Sequence, residues 1–391
     1  MPSDSRIEAA RRWTVIGHPG SRRVAGFERA VARLQAGTVT VIPYDAALGD
    51  RLPEPPPPGT VVRIESPGGN AEAARRLLLW GVPRMEQAGR TPLGREAIER
   101  LAFDRGEMLH PRQWMFGLEA WLQRLGNAWG VSGVEWMSTP ASIALAFDKL
   151  ACLQRWDQAG LPTPRRWSGL RTYHAIRQTI GGRHARVFLK LQHGYSAMGA
   201  VALEWRGDRV RAITSVETAW SDGRPRLFLS KRPRVLLREY EIAMLIDTLG
   251  MEDILVEEWL SKARYQGKPF DLRLLCVEGR VRHAVGRARY SPFTNLNLDA
   301  ERIDRSELLE MLGNEWEGME SLAVQGAAAL PGARCLGMDV LVRPGGRRWV
   351  LLEANAFGDD LPGLLFEGET TYEAQVAACL RRQPPVWGAA S

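Results

Sequence analysis

The sequence is short of lysine. Five lysines stand among 52 basic residues, at positions 149, 190, 231, 262 and 268, and arginine supplies the rest. Where arginine is used almost everywhere, a surviving lysine marks a place for a compact ammonium. Lys190 follows Val187-Phe188-Leu189 and precedes a glycine-containing loop, while Lys149 follows Asp148 on an expected helix. Lys231, Lys262 and Lys268 fall in loop-like stretches and read as surface residues. Cysteine is also sparse: Cys152, Cys276, Cys335 and Cys379 are scattered, with no C-x-x-C pair, and read as reduced core residues. No apolar run reaches the ~18–20 residues that span a bilayer, which excludes a membrane helix. Residues 1–12 are polar and carry no apolar signal core, so a cytoplasmic location is expected. Neither G-x-x-x-x-G-K-[ST] nor G-x-G-x-x-G occurs, so neither a P-loop nor a Rossmann dinucleotide site is supported. No internal repeat is found. The net charge of +7 is spread along the chain and no nucleic-acid-binding motif accompanies it, so a positive cleft for an anionic small substrate is favoured over nucleic acid.

What is present is the composition of a globular protein, 45% hydrophobic and 25% charged over 391 residues, long enough for two or three lobes. Strand-like runs at 13–18, 38–44 and 60–65 alternate with helical patterns at 22–35 and 71–80, which predicts a parallel α/β lobe. In such a lobe function gathers at the carboxyl ends of the strands, so the loops 17–23 and 66–70 are candidates for substrate contact, with ordinary turn chemistry as the plainer reading. Residues 91–136 are helical and Trp-rich, and the spacing of Trp114, Trp121 and Trp129 marks them as core. A capped helix begins near Thr139-Pro140 and is expected to run through Asp148-Lys149 to about residue 158. Strands follow at 187–192 and 199–205, then a hairpin near 211–230, a helix at 233–248 and a strand at 254–260. Strands at 271–277 and 280–288 precede one long helix at 305–329. The lobes are drawn at 1–140, 141–258 and 259–391.

The last hairpin carries the clearest chemistry. A strand ends at Asp339, Pro344-Gly345-Gly346 turns the chain, and the next strand ends in Glu353-Ala354-Asn355. Glu353 and Asn355 share a face, and Asp339 joins them if it lies opposite 351 or 353. Two carboxylates and an amide oxygen suit Mg²⁺. The alternative is an edge hairpin with solvated polar tips. Trp349-Val350-Leu351-Leu352, apolar on both faces, speaks for a buried strand delivering acids to a cleft.

Three weaker signals precede it. Residues 190–199 form a strand, a loop of small residues and a second strand, able to fold over a triphosphate or to be a plain surface hairpin. In Leu255-Val256-Glu257-Glu258-Trp259-Leu260 an acid on a buried strand could meet an adenine edge, or two glutamates could be solvated at a strand end. Asp271 and Arg273 share a face with Arg287, Asn295 and Asn297 beyond, which suits phosphate or an internal salt bridge.

The order of these elements resembles the ATP-grasp superfamily over about residues 138–360, and the stretch from Glu257 to Asn295 is similar to the amino-acid ligase branch with ribosomal-protein glutamate ligase and glutathione synthetase. The resemblance implies an ATP-grasp architecture: an N-terminal parallel α/β lobe for substrate, then two α+β lobes enclosing the nucleotide. It implies that Lys149 and Lys190 hold the α- and β-phosphates, that the loop with Gly194, Ser196 and Gly199 covers them, and that Glu257 meets the adenine amino group. The main chain at Trp259 and Leu260 would face the ring, with Lys262 the candidate for the ribose. Arg273, Arg287 and Asn295 would face the γ-phosphate and the acyl intermediate. Asp339, Glu353 and Asn355 would ligate two Mg²⁺, with Mn²⁺ as an alternative. The implied activity is ATP-dependent ligation of a small acid, amino acid or peptide to an amine or related nucleophile through an acyl phosphate. A small-molecule kinase and a non-catalytic nucleotide- or partner-binding module are the alternatives; the oligomeric state stays open. Met198 stands where small residues are usual in that family, and Ala-Phe-Gly-Asp-Asp follows Asn355 in place of a proline-containing turn.

Overall fold

A computed structural model describes residues 11–194, 197–221, 224–358 and 360–381. Strands β1 (Arg11–Gly17), β2 (Gly37–Pro43), β3 (Val61–Ile64) and β4 (Glu135–Trp136) form a parallel sheet in the order β2-β1-β3-β4. Central β1 and β3 are buried because helices cover the sheet, as a parallel arrangement requires. Trp121 and Trp129, from the helix Pro111–Trp129, fill the core beside the helix Ala71–Gln87.

The second sheet is antiparallel, β5-β10-β6-β7-β8-β9, built from β5 (Arg166–Trp167), β6 (His184–Leu191), β7 (Val201–Arg206), β8 (Arg209–Ser221), β9 (Arg224–Leu236) and β10 (Ile254–Glu258). The helix expected at 233–248 begins instead at Glu239, and β9 continues through Pro233 to Leu236. β9 is the edge strand, so a proline there breaks no inner ladder.

The third sheet holds β12 (Lys268–Val277), β13 (Arg280–Ala288), β14 (Glu301–Ile303), β15 (Cys335–Val342) and β16 (Trp349–Asn355) in the order β14-β13-β12-β15-β16, with β11 (Arg264–Tyr265) on β12. One face, with Leu272, Leu274, Met338 and Val340, packs on the helix Glu315–Ala328. The single helix expected over 305–329 is two, Arg305–Leu312 and Glu315–Ala328, parted at Gly313, whose φ of +51° no helix accommodates.

The helix expected at 140–158 is also divided. Pro140–Phe147 and Lys149–Gln158 meet at Asp148, whose carboxylate accepts from the main-chain N–H groups of Leu150 and Ala151. Both helices share a core with the first lobe and the third sheet, and Trp156 donates to the Gly326 carbonyl at 2.8 Å. The last helix, Thr371–Leu380, returns to the first lobe: Tyr372, Val376 and Cys379 pack with Trp13 and Phe27. Among the described residues no helix is long and apolar enough to cross a membrane. The four cysteines are buried and unpaired as disulfides.

Candidate active site

The third sheet's other face is polar because of register. Asp271 lies opposite Arg287, Arg273 opposite Asp339, Asp339 opposite Glu353, and Gly337 opposite Asn355. Opposed residues share a face, as do residues two apart. Arg287, Asp271, Arg273, Asp339, Glu353 and Asn355 therefore form one polar row across four strands. Of the two registers open to Asp339, the hairpin takes the one that sets it against Glu353. A bulge follows at once: Val340 pairs with Leu351, leaving Leu352 as the extra residue. The slip turns Leu351 into the helix-side core, while Leu352 and Glu353 both line the cleft.

Charges in this row are buried and mutually satisfied. Arg287 donates Nε to Asp271 Oδ1 at 2.8 Å and its Nη2 lies 3.0 Å from Asp339 Oδ2. Arg273 grips the same Asp339 with Nε and, at 3.1 Å, with Nη2. Lys262 donates to Asp271 Oδ2 at 2.8 Å and to Thr294 Oγ1 at 2.6 Å. Burial alone would raise both carboxyls, but Arg287 and Lys262 hold Asp271, and Arg273 and Arg287 hold Asp339, below the ordinary aspartate value. Lys262 is no surface residue; burial lowers its ammonium against the pull of Asp271.

The second sheet supplies the facing wall. Lys190 lies opposite Leu255 on β10 and reaches Glu257 Oε2 at 2.8 Å. Burial depresses its ammonium, yet Glu257 and Glu353 outweigh that and raise it. Glu257 is 2% exposed, and its Oε1 has no hydrogen-bond partner among the described residues. β10 ends at Glu258; Trp259 and Leu260 continue past it along the cleft. Lys149 opens its helix and donates to the Gly194 carbonyl; burial lowers its ammonium, against Glu353. Gln192 donates to Asp148 at 3.0 Å, tying that helix to the loop before Gly194. Gly199 sits at φ +69°, where a Cβ would meet Leu191 Cγ at 2.5 Å, so only glycine closes this turn. Ser196 lies outside the described residues. Met198 is buried in the core of the second sheet and lines the cleft.

These elements enclose a cleft lined by Lys149, Lys190, Gly194, Glu257, Trp259, Leu260, Lys262, Arg287, Asn295, Asp339 and Glu353. Arg273 and Asn355 line a second, outer cleft that shares Lys149, Gly194, Arg287, Asn295 and Glu353 with the first. Gly199 lines neither cleft and acts through the turn. Two apolar walls were legible only through Trp259 and Leu260; their other residues were missed in the sequence. Phe188 and Phe293 meet edge to face at 5.5 Å, beside Ala200 and Trp259, and Leu260, Leu341 and Leu352 form the other. Leu341 and Leu352 carried a readable signal, since the acids flanking them already placed the hairpin in a cleft; Phe293 carried none.

The donors suit a hard cation. Asn355 donates Nδ2 to the Gly337 carbonyl at 3.1 Å, which leaves Oδ1 as the atom it can offer. Asp339 and Glu353 stand on the same face, with carboxylate oxygens of the kind Mg²⁺ takes. Among the described residues no group of three or more His, Cys, Asp or Glu side chains is placed to hold a metal, so such a site depends on the amide.

Comparison with known proteins gave no matching family model and no match among curated proteins. Solved structures do match. A Chryseobacterium gregarium RiPP-associated ATP-grasp ligase, in complex with ADP and a leader and core peptide, is 13% identical with a TM-score of 0.51, over 96% of this chain and 98% of that one. The ATP-grasp ligase PsnB with a minimal precursor is 16% identical over 95% and 99%, TM-score 0.49. D-alanine–D-alanine ligase from Bacillus anthracis is 11% identical over 95% and 97%, TM-score 0.49. The chain has the ATP-grasp fold.

Proposed function

We propose that this chain is an ATP- and Mg²⁺-dependent ligase that activates a carboxylate as an acyl phosphate and passes the acyl group to an amine or related nucleophile. One observation carries the reading. Lysines from a helix and a facing strand, the acids of the last hairpin and a buried glutamate with an unfilled oxygen converge on a single cleft. In this reading the base lies between the Phe293–Trp259 and Leu260–Leu341 walls, with its amino group at Glu257 Oε1. Lys149 and Lys190 meet the α- and β-phosphates beneath the loop at Gly194, and Lys262 reaches the ribose side. Asp339, Glu353 and Asn355 would hold Mg²⁺, which when bound neutralises phosphoryl oxygens. A carboxylate is a poor electrophile. Its oxygen attacks the γ-phosphorus and ADP leaves; the nucleophile then attacks the acyl carbon, phosphate leaves, and the nucleophile loses its proton. Arg273, Arg287 and Asn295 serve both steps by stabilising charge on the transferred group.

The reading is tested by screening acids for ADP release with hydroxylamine present. A ligase yields a hydroxamate; ADP release without hydroxamate but with a phosphorylated hydroxyl product identifies a kinase instead. Absence of Mg·ADP binding by calorimetry would overturn the nucleotide assignment altogether.

A further inference from the structure

The outer cleft opens from the inner one at Glu353 and Asn295. Its described lining carries five arginines and Lys149 against two carboxylates, Glu353 and Asp360. The inner end, Arg273 and Arg287, belongs to the reacting group. The outer cations come from elsewhere: Arg22 and Arg23 from the first turn of the helix that follows β1, and Arg302 from β14.

Each outer arginine is steered rather than buried away. Arg23 donates to the buried Glu65 at 2.6 Å and to the Phe357 carbonyl at 2.8 Å. Glu65 also pairs with Arg63 at 2.6 Å, so one carboxylate serves two guanidinium groups. Arg302 donates to the Pro362 carbonyl at 2.7 Å, a neutral partner, and has no ion pair among the described residues. Arg22 lies 2.7 Å from Asp360, yet its side chain is 71% exposed. Arg22 and Arg23 also occupy the first turn of their helix, which holds no acid. Cations at that end oppose the helix dipole by about 0.3–1 kcal/mol each. A local preference is broken, as functional sites do.

We infer that the acid substrate carries a second anionic group, a carboxylate or a phosphate, held in the outer cleft by Arg22 and Arg302 with Arg23 beside them. Its reacting carboxyl then points inward to Arg273 and Asn295. The inference rests on the ligase reading and names its substrate class: an acid with two anionic ends. Ser66 and Asn297, on the same walls, offer polar contacts to the atoms between those ends.

The test is calorimetry on the full chain with Mg·ADP present, using probe pairs that differ in one anionic group: glutamate and glutamine, succinate and butyrate, phosphoserine and serine. The dianion of each pair is expected to bind at least tenfold tighter, because each charge-assisted hydrogen bond supplies about 1.5–3 kcal/mol. The succinate and phosphoserine arms decide between carboxylate and phosphate. Arg22→Ala and Arg302→Ala should each weaken the dianion about tenfold, leave its uncharged-ended partner unchanged and keep the affinity for Mg·ADP. The advantage of the dianion should shrink with added salt. Equal affinities within every pair, insensitivity to both substitutions, or no dianion binding at tens of millimolar overturn the inference. Loss of Mg·ADP binding in the wild type strikes the ligase reading instead, and the probe pairs without nucleotide then decide the outer cleft separately.

Discussion

The two clefts share a wall but handle charge in opposite ways. In the inner cleft two of the three lysines pair with an acid, Lys190 with Glu257 and Lys262 with Asp271, while Lys149 donates to the Gly194 carbonyl and Arg287 bridges Asp271 and Asp339. Among the described residues of the outer cleft the cations exceed the acids, and Arg23 and Arg302 each donate to a main-chain carbonyl. A nearly neutral, buried array suits a ligand that arrives with its own counter-cations, as a metal–nucleotide does. A cationic surplus open to solvent suits an anion that arrives alone. Burial makes the first array part of the structure, whereas the exposed Arg22 of the second adds little to the fold.

The largest effect should come from breaking the inner array. Arg287→Ala leaves Asp271 buried with one partner fewer and should cost about 3–5 kcal/mol of stability in urea unfolding. A loss below 1 kcal/mol would mean the array is not as closed as its distances imply. Next, Glu353→Gln should lower turnover by about 10²–10³-fold, since it removes a carboxylate that would hold the charge-neutralising Mg²⁺. Its midpoint of thermal unfolding should stay near that of the wild type, because Glu353 has no arginine depending on it among the described contacts. Comparable activity in the two proteins would remove Glu353 from the chemistry.

Acid separates two further parts. Burial pushes His193, behind Gly194, down to about 4. The unfolded imidazole titrates near ~6.5, so the unfolded state binds more protons between those values and stability falls as pH drops through that window. Asp271 and Asp339 act lower: their depressed carboxyls stabilise the fold above the ordinary ~3.9, and that stability is lost as pH falls through their folded values. His193→Asn should flatten the upper window alone; a slope unchanged between pH 6.5 and 4 would show that another group sets it. The smallest effect belongs to the outer cleft. Arg22→Ala should change stability by less than about 0.5 kcal/mol, since a surface ion pair contributes little. A larger loss would make Arg22 a structural residue.

The inner cleft was readable wherever chemistry follows strand alternation. Asp339, Glu353 and Asn355 on one face, and Asp271 with Arg273, follow from a period of two. The loops of the first lobe were readable from topology, since Arg22, Arg23 and Ser66 lie at strand carboxyl ends and line the outer cleft. What escaped depends on tertiary contacts. The bulge at Leu352 comes from two faces competing for one strand, and neighbouring residues do not reveal which wins. Asp148 divides a helix because Gln192, far along the chain, ties its carboxylate. Phe293 enters the cleft from an irregular segment with no periodicity, and Arg302 sits on a three-residue edge strand that no pattern marks.

Arg63 lies between the rings of Phe27 and Tyr372, 5.1 Å from each, and donates to Gln375 at 2.6 Å. Two of these three partners belong to the helix Thr371–Leu380. During synthesis, then, the parallel sheet leaves the ribosome with a charged side chain and the Trp13–Phe27 surface still wet, and that flank closes only when Gln375, 312 residues beyond Arg63, has been made. Until then the nascent first lobe exposes apolar surface of the kind that chaperones and proteases bind.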